Sequence, residues 1–282
     1  MNNEQAVHVS RAATGSKALA LAIRRDVLKM VHRAKASHVA SCFSIADIVA
    51  VLYSQVMQIR PAEPDWPGRD RFVLSKGHAA AAVYAALANI GTVARKDLDS
   101  YGADGSLFMT HISHKIAGVE FSSGSLGHGL PFGVGKALAA KRLGRAWRVF
   151  VQLSDGEMDE GSNWEALMFA AHHRLDNVVA VIDYNKLQSL TTISQTLGLE
   201  PLVDKLAAFG WSVREVDGHD HTELVRHLSS AAWETGKPSL LLAHTTKGKG
   251  VSFMENKVEW HYRSPNAEQL ATALAELEAA NA

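Results

Sequence analysis

Five short apolar or β-branched runs, each separated from the next by a helical stretch, constrain this chain more than any other feature. They occupy residues 71–75, 147–153, 177–183, 211–216 and 239–244. Their apolar residues do not alternate with polar ones, the pattern of strands covered on both faces. Helical patterns fill 77–90, 130–143, 162–174, 202–209, 222–235 and 267–280. Strands interleaved with helices imply an α/β fold, a mostly parallel sheet with helices on both faces. Ahead of it, 17–35 and 44–57 also read as helices, the second with Ser44 and Asp47 as an N-cap box. Pro61, Pro64, Pro67 and Gly68 mark a surface loop. No linker composition intervenes, so 1–282 reads as a single domain with a helical N-terminal extension.

Bulk properties exclude several classes. Acidic and basic residues number 29 each, which argues against nucleic acid or an anionic membrane held by bulk charge. The single cysteine, Cys42, excludes an internal disulfide and fits a reducing compartment. The start, MNNEQAVHVSRAATGSK, has no apolar core of a secretory signal, and the apolar run 79–90 is too short to span a bilayer. A soluble, cytoplasmic protein is expected.

Within that frame one stretch stands out. LSDGEMDEG (153–161) sets Asp155, Glu157, Asp159 and Glu160 directly behind an apolar strand. Strand 147–153, helix 162–174 and strand 177–183 form one βαβ unit, whose strands should be parallel and adjacent. Asp155 and Asn185, about thirty residues apart, then arrive together at the carboxyl edge, where open α/β sheets bind ligands. A carboxylate and a carboxamide are hard oxygen donors suited to Mg²⁺ or Ca²⁺. Gly156 lets a phosphate approach the backbone, and the helix start near Ser162 adds a positive dipole end. Taken alone, the acidic cluster reads equally as a solvated helix start; Asn185 at the matching strand end favours a metal-bridged diphosphate.

The segment SDGEMDEGSNWEALMFAAHHRLDNVVAVIDYNK resembles the thiamine-diphosphate motif, and the chain as a whole resembles transketolase. LSKGHAAAAVYAAL, GVEFSSGSLGHGL, the SDG segment, FGWSVREVDGHD and HTTKGKGVSFMENKVEWH follow in the family's order. Ser154 departs from the family's usual glycine, and Tyr184 stands where many relatives carry asparagine. The resemblance implies Mg²⁺ ligation by the Asp155 and Asn185 side chains and the Leu187 carbonyl. It implies cofactor contacts from His78, Gly124, Ser125, Leu126, Gly156, Asn185 and His261, with Glu160 in an acidic network between paired sites. It gives catalytic roles to His38, His78, His111 and His261, with His38 and His111 facing sugar hydroxyls. Transketolases are normally more than twice this length, and the cofactor-activating glutamate and phosphate-gripping arginines belong to parts with no matching motif here. The implied protein is the N-terminal subunit of a split transketolase, moving a two-carbon ketol unit between sugars or sugar phosphates. A second, pyrimidine-binding chain would complete an α₂β₂ assembly, and the ELEAANA tail reads as a natural terminus.

Fourteen histidines demand restraint. His8, His32, His172, His173, His219, His221, His227 and His244 read as ordinary core or surface residues. His111 and His114 have a spacing usable by zinc but no third ligand. GHGLPFG (127–133) imitates a dinucleotide fingerprint with the wrong glycine spacing, and reads better as a tight turn with close helix packing. Lys247 and Lys249 fit either a phosphate contact or a flexible basic loop. The competing readings are another divided thiamine-diphosphate enzyme (1-deoxyxylulose-5-phosphate synthase-like, or one chain of a decarboxylase), a nicotinamide-dependent dehydrogenase and a non-catalytic regulatory chain.

Overall fold

The computed structural model describes residues 15–230 and 232–280. His8 and the last two residues of the ELEAANA tail lie outside the described residues. The helices are α1 (Ser16–Ala34), α2 (Val39–Ser44), α3 (Ala46–Val51), α4 (Ala80–Asn89), α5 (Gly129–Arg142), α6 (Gly161–His172), α7 (Ile193–Thr196), α8 (Leu202–Ala208), α9 (His221–Leu228) and α10 (Ala267–Ala279). The strands are β1 (Arg71–Leu74), β2 (Val149–Ser154), β3 (Val178–Tyr184), β4 (Ser212–Asp217) and β5 (Ser239–His244). They form one sheet in the order β1-β2-β3-β5-β4, every pairing parallel. The expected α/β architecture is the observed one.

Strand periodicity sorts the core into two layers. Phe150, Val179, Val181, Leu241 and Ala243 pack under α1–α4, α9 and α10. Their neighbours Val149, Val151, Val178, Ala180, Leu240 and Leu242 pack on the opposite face, against α5, α6 and α8. Strands β2 and β3 are buried along their whole length, which explains their unbroken apolar runs. Strand β4 is the exception: it lies at the sheet edge and exposes Arg214's neighbour Glu215. No described helix is long and apolar enough to cross a membrane.

Two helix boundaries differ from expectation. Ser44 does not cap a helix over 44–57; it ends α2, and its hydroxyl donates to Ser41 O and to the Asp183 carboxylate. Asp47 faces Arg24, His219 and His221 instead of the helix start. The helix expected over 222–235 stops at Leu228. Its end is held by Arg148, whose guanidinium donates to the carbonyls of Leu228, Ser229 and Ser230 at 3.2, 3.2 and 3.4 Å. A side chain about eighty residues away thus satisfies carbonyls that a longer helix would have used itself.

Candidate active site

The carboxyl ends of the strands gather the motifs. After β1 come Ser75, Lys76, Gly77 and His78; after β2, Asp155 and Gly156; after β3, Asn185; after β4, His219; after β5, Thr245 to Lys247. Register pairs Ser154 with Asp183, so the chain segments bearing Asp155 and Asn185 leave the sheet side by side, as expected for adjacent parallel strands.

Asp155 is 1% exposed. Its two oxygens accept from the backbone N–H groups of Gly156 (2.7 Å) and Lys186 (2.6 Å). Among the described residues no cationic side chain pairs with it. Burial, and then the neighbouring Asp183 charge, push its carboxyl up to about 7. Asn185 holds its amide toward Asp183 (3.2 Å) and accepts from the Leu187 N–H (3.0 Å). A buried carboxylate without a counter-ion, beside a carboxamide oxygen and a carbonyl, is a donor set that fits a hard divalent cation. Gly156 leaves room on the same rim, where a Cβ would meet the Gln188 side chain at 3.0 Å. Gln188 in turn donates to Asp159 (2.8 Å).

Beneath this rim lies a polar core that composition conceals. Lys76, 1% exposed, donates to Asp183 (2.5 Å) and to Ser41 O (3.2 Å). Burial alone would raise Asp183; Lys76 overrides it and holds the carboxyl below its usual range. Lys247, also 1% exposed, donates to the carbonyls of Leu187 (3.2 Å) and Gln188 (3.1 Å) and to His261 Nδ1 (3.0 Å). Burial and the Lys76 charge lower it to about 8. The flexible-loop reading of Lys247 therefore falls. Glu157 is fully buried: its carboxylate accepts from the Ser75 hydroxyl and from Gly127 N–H (2.9 Å) and Ser154 N–H (3.3 Å). It ties three motif segments together, although sequence placed it only within an acidic turn.

Four histidines from four separate segments converge above. The His38 ring lies 5.1 Å from His78, 5.7 Å from His111 and 5.0 Å from His261, and His78 lies 5.6 Å from His261. His38 sits at φ 74°, a conformation unfavourable for a non-glycine residue, with its N–H donating to His261 O at 2.9 Å. His111 is positioned through its carbonyl, which accepts from the Tyr84 hydroxyl at 3.1 Å. Gly77 allows the β1 turn to touch the 123–126 turn, because a Cβ there would meet Ser123 O at 2.3 Å. A Cβ on Gly124 would lie 3.8 Å from His111, which places that turn beside the cluster.

All four imidazoles are kept neutral. Burial and then His111 and Lys247 lower His38 to about 4; burial and then Lys247 lower His261 to about 3. Burial and Lys76 hold His78 well below its usual value, and burial lowers His111. Because the Lys247 ammonium donates to Nδ1, the His261 proton resides on Nε2. The site thus offers neutral groups able to donate or accept one hydrogen bond each.

Other expected residues fall outside this cluster. Glu160 is exposed at the start of α6 and reaches no partner within the chain. His114 pairs with Ser122 (2.7 Å), and among the described residues no three His, Cys, Asp or Glu side chains are grouped for a metal. GHGLPFG opens α5, and Gly133 packs where a Cβ would meet Val151 at 2.6 Å, the close packing expected of it. His32, His227 and His244 make structural contacts with Pro265 O, Arg214 and Glu215. Asp183, Lys76, Glu157 and Gln188 were missed. The only signal for them was membership of motif segments, since buried charges look like surface residues in sequence.

The family profile described as "Transketolase, thiamine diphosphate binding domain" matches residues 15–278. One of the two chains named for the apulose-4-phosphate transketolase of Phocaeicola vulgatus is 40% identical over 254 residues, 90% of each chain. A 6-deoxy-6-sulfo-D-fructose transketolase subunit of a Clostridium species is 41% identical over 257 residues, covering 91% of this chain and 94% of its own. Transketolase from Leishmania mexicana superposes with a TM-score of 0.88 at 30% identity, covering 93% of this chain and 41% of its own. The chain therefore spans about two-fifths of that full-length enzyme.

Proposed function

The chain belongs to the transketolase family, in its thiamine diphosphate binding domain, and from that membership we propose that it is the N-terminal subunit of a split transketolase. In this reading 1–282 acts as the diphosphate-binding domain and a second chain supplies the pyrimidine-binding domain, in an α₂β₂ assembly. Two relatives of matching length are themselves named as transketolase subunits, which supports a divided enzyme. Their names also point to unusual sugars, so the donor class extends beyond the common ketose phosphates.

The convergence of His38, His78, His111 and His261 at the strand ends carries the reading. Asp155, Asn185 and the Leu187 carbonyl would hold Mg²⁺, with Gly156 against the diphosphate and the Gly124-Ser125-Leu126 turn against the aminopyrimidine ring. Lys247 would add positive charge beside the diphosphate. Bound thiamine diphosphate supplies a thiazolium that serves as electron sink for cleaving and reforming the C–C bond. The chain's own part is orientation: His78 and His261 flank the reacting end, while His38 and His111 bind sugar hydroxyls. Neutral imidazoles suit that task, since each can accept a hydroxyl proton or donate to an alkoxide near neutral pH. Glu160, exposed on one chain, would be buried between paired sites. The test is reconstitution: the purified chain should show no ketol transfer alone and should gain it with a pyrimidine-domain chain. Full turnover by the single chain would overturn the proposal.

A further inference from the structure

The FGWSVREVDGHD segment ends in a histidine that touches neither rim nor cluster, yet it is wired to both. His219 Nε2 accepts from the Thr246 backbone N–H at 2.8 Å. A ring nitrogen that accepts carries no proton, so the imidazole proton sits on Nδ1, which faces Asp47 Oδ2 at 2.6 Å. Asp47 is fixed in turn by the Arg24 guanidinium at 3.0 and 2.6 Å and by His221 Nε2 at 3.1 Å. On the other side of Thr246, the Thr245 hydroxyl donates to Asp183, and Lys247 reaches the Leu187 and Gln188 carbonyls and His261. Gly248 N–H closes the turn onto Ala40 O at 3.0 Å.

We propose that His219 is a positioning residue: locked between the Asp47 carboxylate and the Thr246 amide, it fixes the 245–247 turn that delivers Lys247 to His261 and the rim carbonyls. The geometry explains the choice of side chain. The position needs one acceptor toward Thr246 and one donor toward Asp47, on opposite sides of a flat group. Neutral imidazole supplies both; serine is too short to bridge the two, and lysine or arginine cannot accept. Without the acceptor, the partly buried Thr246 N–H is left unpaired, and the turn gains freedom to swing Lys247 away. The role of Lys247 in a cofactor site rests on the function proposed above; the positioning of Lys247 by His219 does not.

Two measurements on the free chain decide it. Long-range ¹H–¹⁵N spectra at neutral pH should show His219 as the Nδ1–H tautomer; an Nε2–H tautomer or an imidazolium would overturn the proposal. The second is amine acetylation followed by mass spectrometry, with Lys249 as internal reference. His219→Phe should raise Lys247 labelling about tenfold, the scale of one lost buried hydrogen bond. His219→Gln, which restores an acceptor and a donor, should return labelling to within about threefold of the parent. Equal labelling in the parent and the phenylalanine variant, or a glutamine variant as reactive as the phenylalanine one, would refute it. Should His219→Phe fail to fold, the tautomer and the glutamine variant still decide. Neither measurement uses sugar, cofactor or partner. Failure of ketol transfer in the reconstituted enzyme would count against the proposed function and leave this result standing.

Discussion

Replacing Asp155 by asparagine should make the metal-free chain more stable at pH 8 while abolishing its response to Mg²⁺ and thiamine diphosphate. Asp155 is 1% exposed, and burial with the Asp183 charge lifts its carboxyl from 3.8 to about 7. Its folded value lies above its unfolded one, so its contribution is complete below about pH 4 and is lost as pH rises through 7. At 1.36 kcal/mol per pH unit, ionising it costs the empty fold about 4 kcal/mol, an upper figure because water and small shifts relieve part of it. Asparagine removes the charge but offers one acceptor where the carboxylate uses two, toward Gly156 and Lys186. The unpaired N–H costs about 1–3 kcal/mol. The net expectation for Asp155→Asn is a gain of about 1–3 kcal/mol at pH 8, shrinking to a deficit at pH 4. Urea melts in Mg²⁺-free buffer across that range measure it. Mg²⁺ with thiamine diphosphate at a hundredfold excess over Kd should then add about 2.7 kcal/mol to the parent and nothing to the variant, reversing their order. A variant-to-parent difference independent of pH would refute the uncompensated-carboxylate argument; an equal ligand response would refute the metal assignment.

The Lys76–Asp183 pair should behave as a unit: Lys76→Met should cost about 3–5 kcal/mol by stranding Asp183, and adding Asp183→Asn should recover part of the loss. Additive costs in a double-mutant cycle of denaturant melts would count against direct pairing. Gly77→Ala drives a Cβ into Ser123 O and should weaken cofactor binding at least about tenfold, since backbone must move. Gly135→Ala, where nothing lies within 4 Å in α5, should bind normally and gain about 0.5–1 kcal/mol in melts. His38 and His261 should stay neutral in proton NMR down to about pH 5 and titrate near 4 and 3. Their folded values lie below the unfolded ones, so the stability they contribute is present above about 6.5 and falls away as pH drops through 4 and 3. Imidazole titration near 6.5 would show the cluster to be open to solvent.

The five strands were legible because burial on both faces leaves a direct mark on composition; only β4, at the edge, carries a weaker one. The meeting of Asp155 and Asn185 followed from one βαβ unit. The histidine cluster was legible only through resemblance, since nothing in the spacing of His38, His78, His111 and His261 brings them together. Long-range side chains account for the errors. Arg148 ends α9 from another strand, and Asp183 draws Ser44 away from a capping role. Lys76, Lys247, Asp183 and Glu157 resisted sequence reading for one reason: a charge is taken as exposed until its buried partner is known, and each partner here lies far along the chain.

Those hidden charges explain why the site has the character it does. Lys76 is occupied by Asp183, and Lys247 by two carbonyls and His261, so neither neutralises Asp155 directly. A carboxylate left without a partner beside two fixed cations can accept a mobile divalent ion more readily than one already paired. The same two lysines lie close enough to the histidines to oppose a further positive charge, adding to burial in keeping His38, His78 and His261 neutral. Had the lysines been placed on the rim, they would have quenched Asp155; had they been absent, the imidazoles would lose a determinant of their protonation state. Their position one layer below the rim achieves both ends, and it requires the 245–247 turn to hold its place.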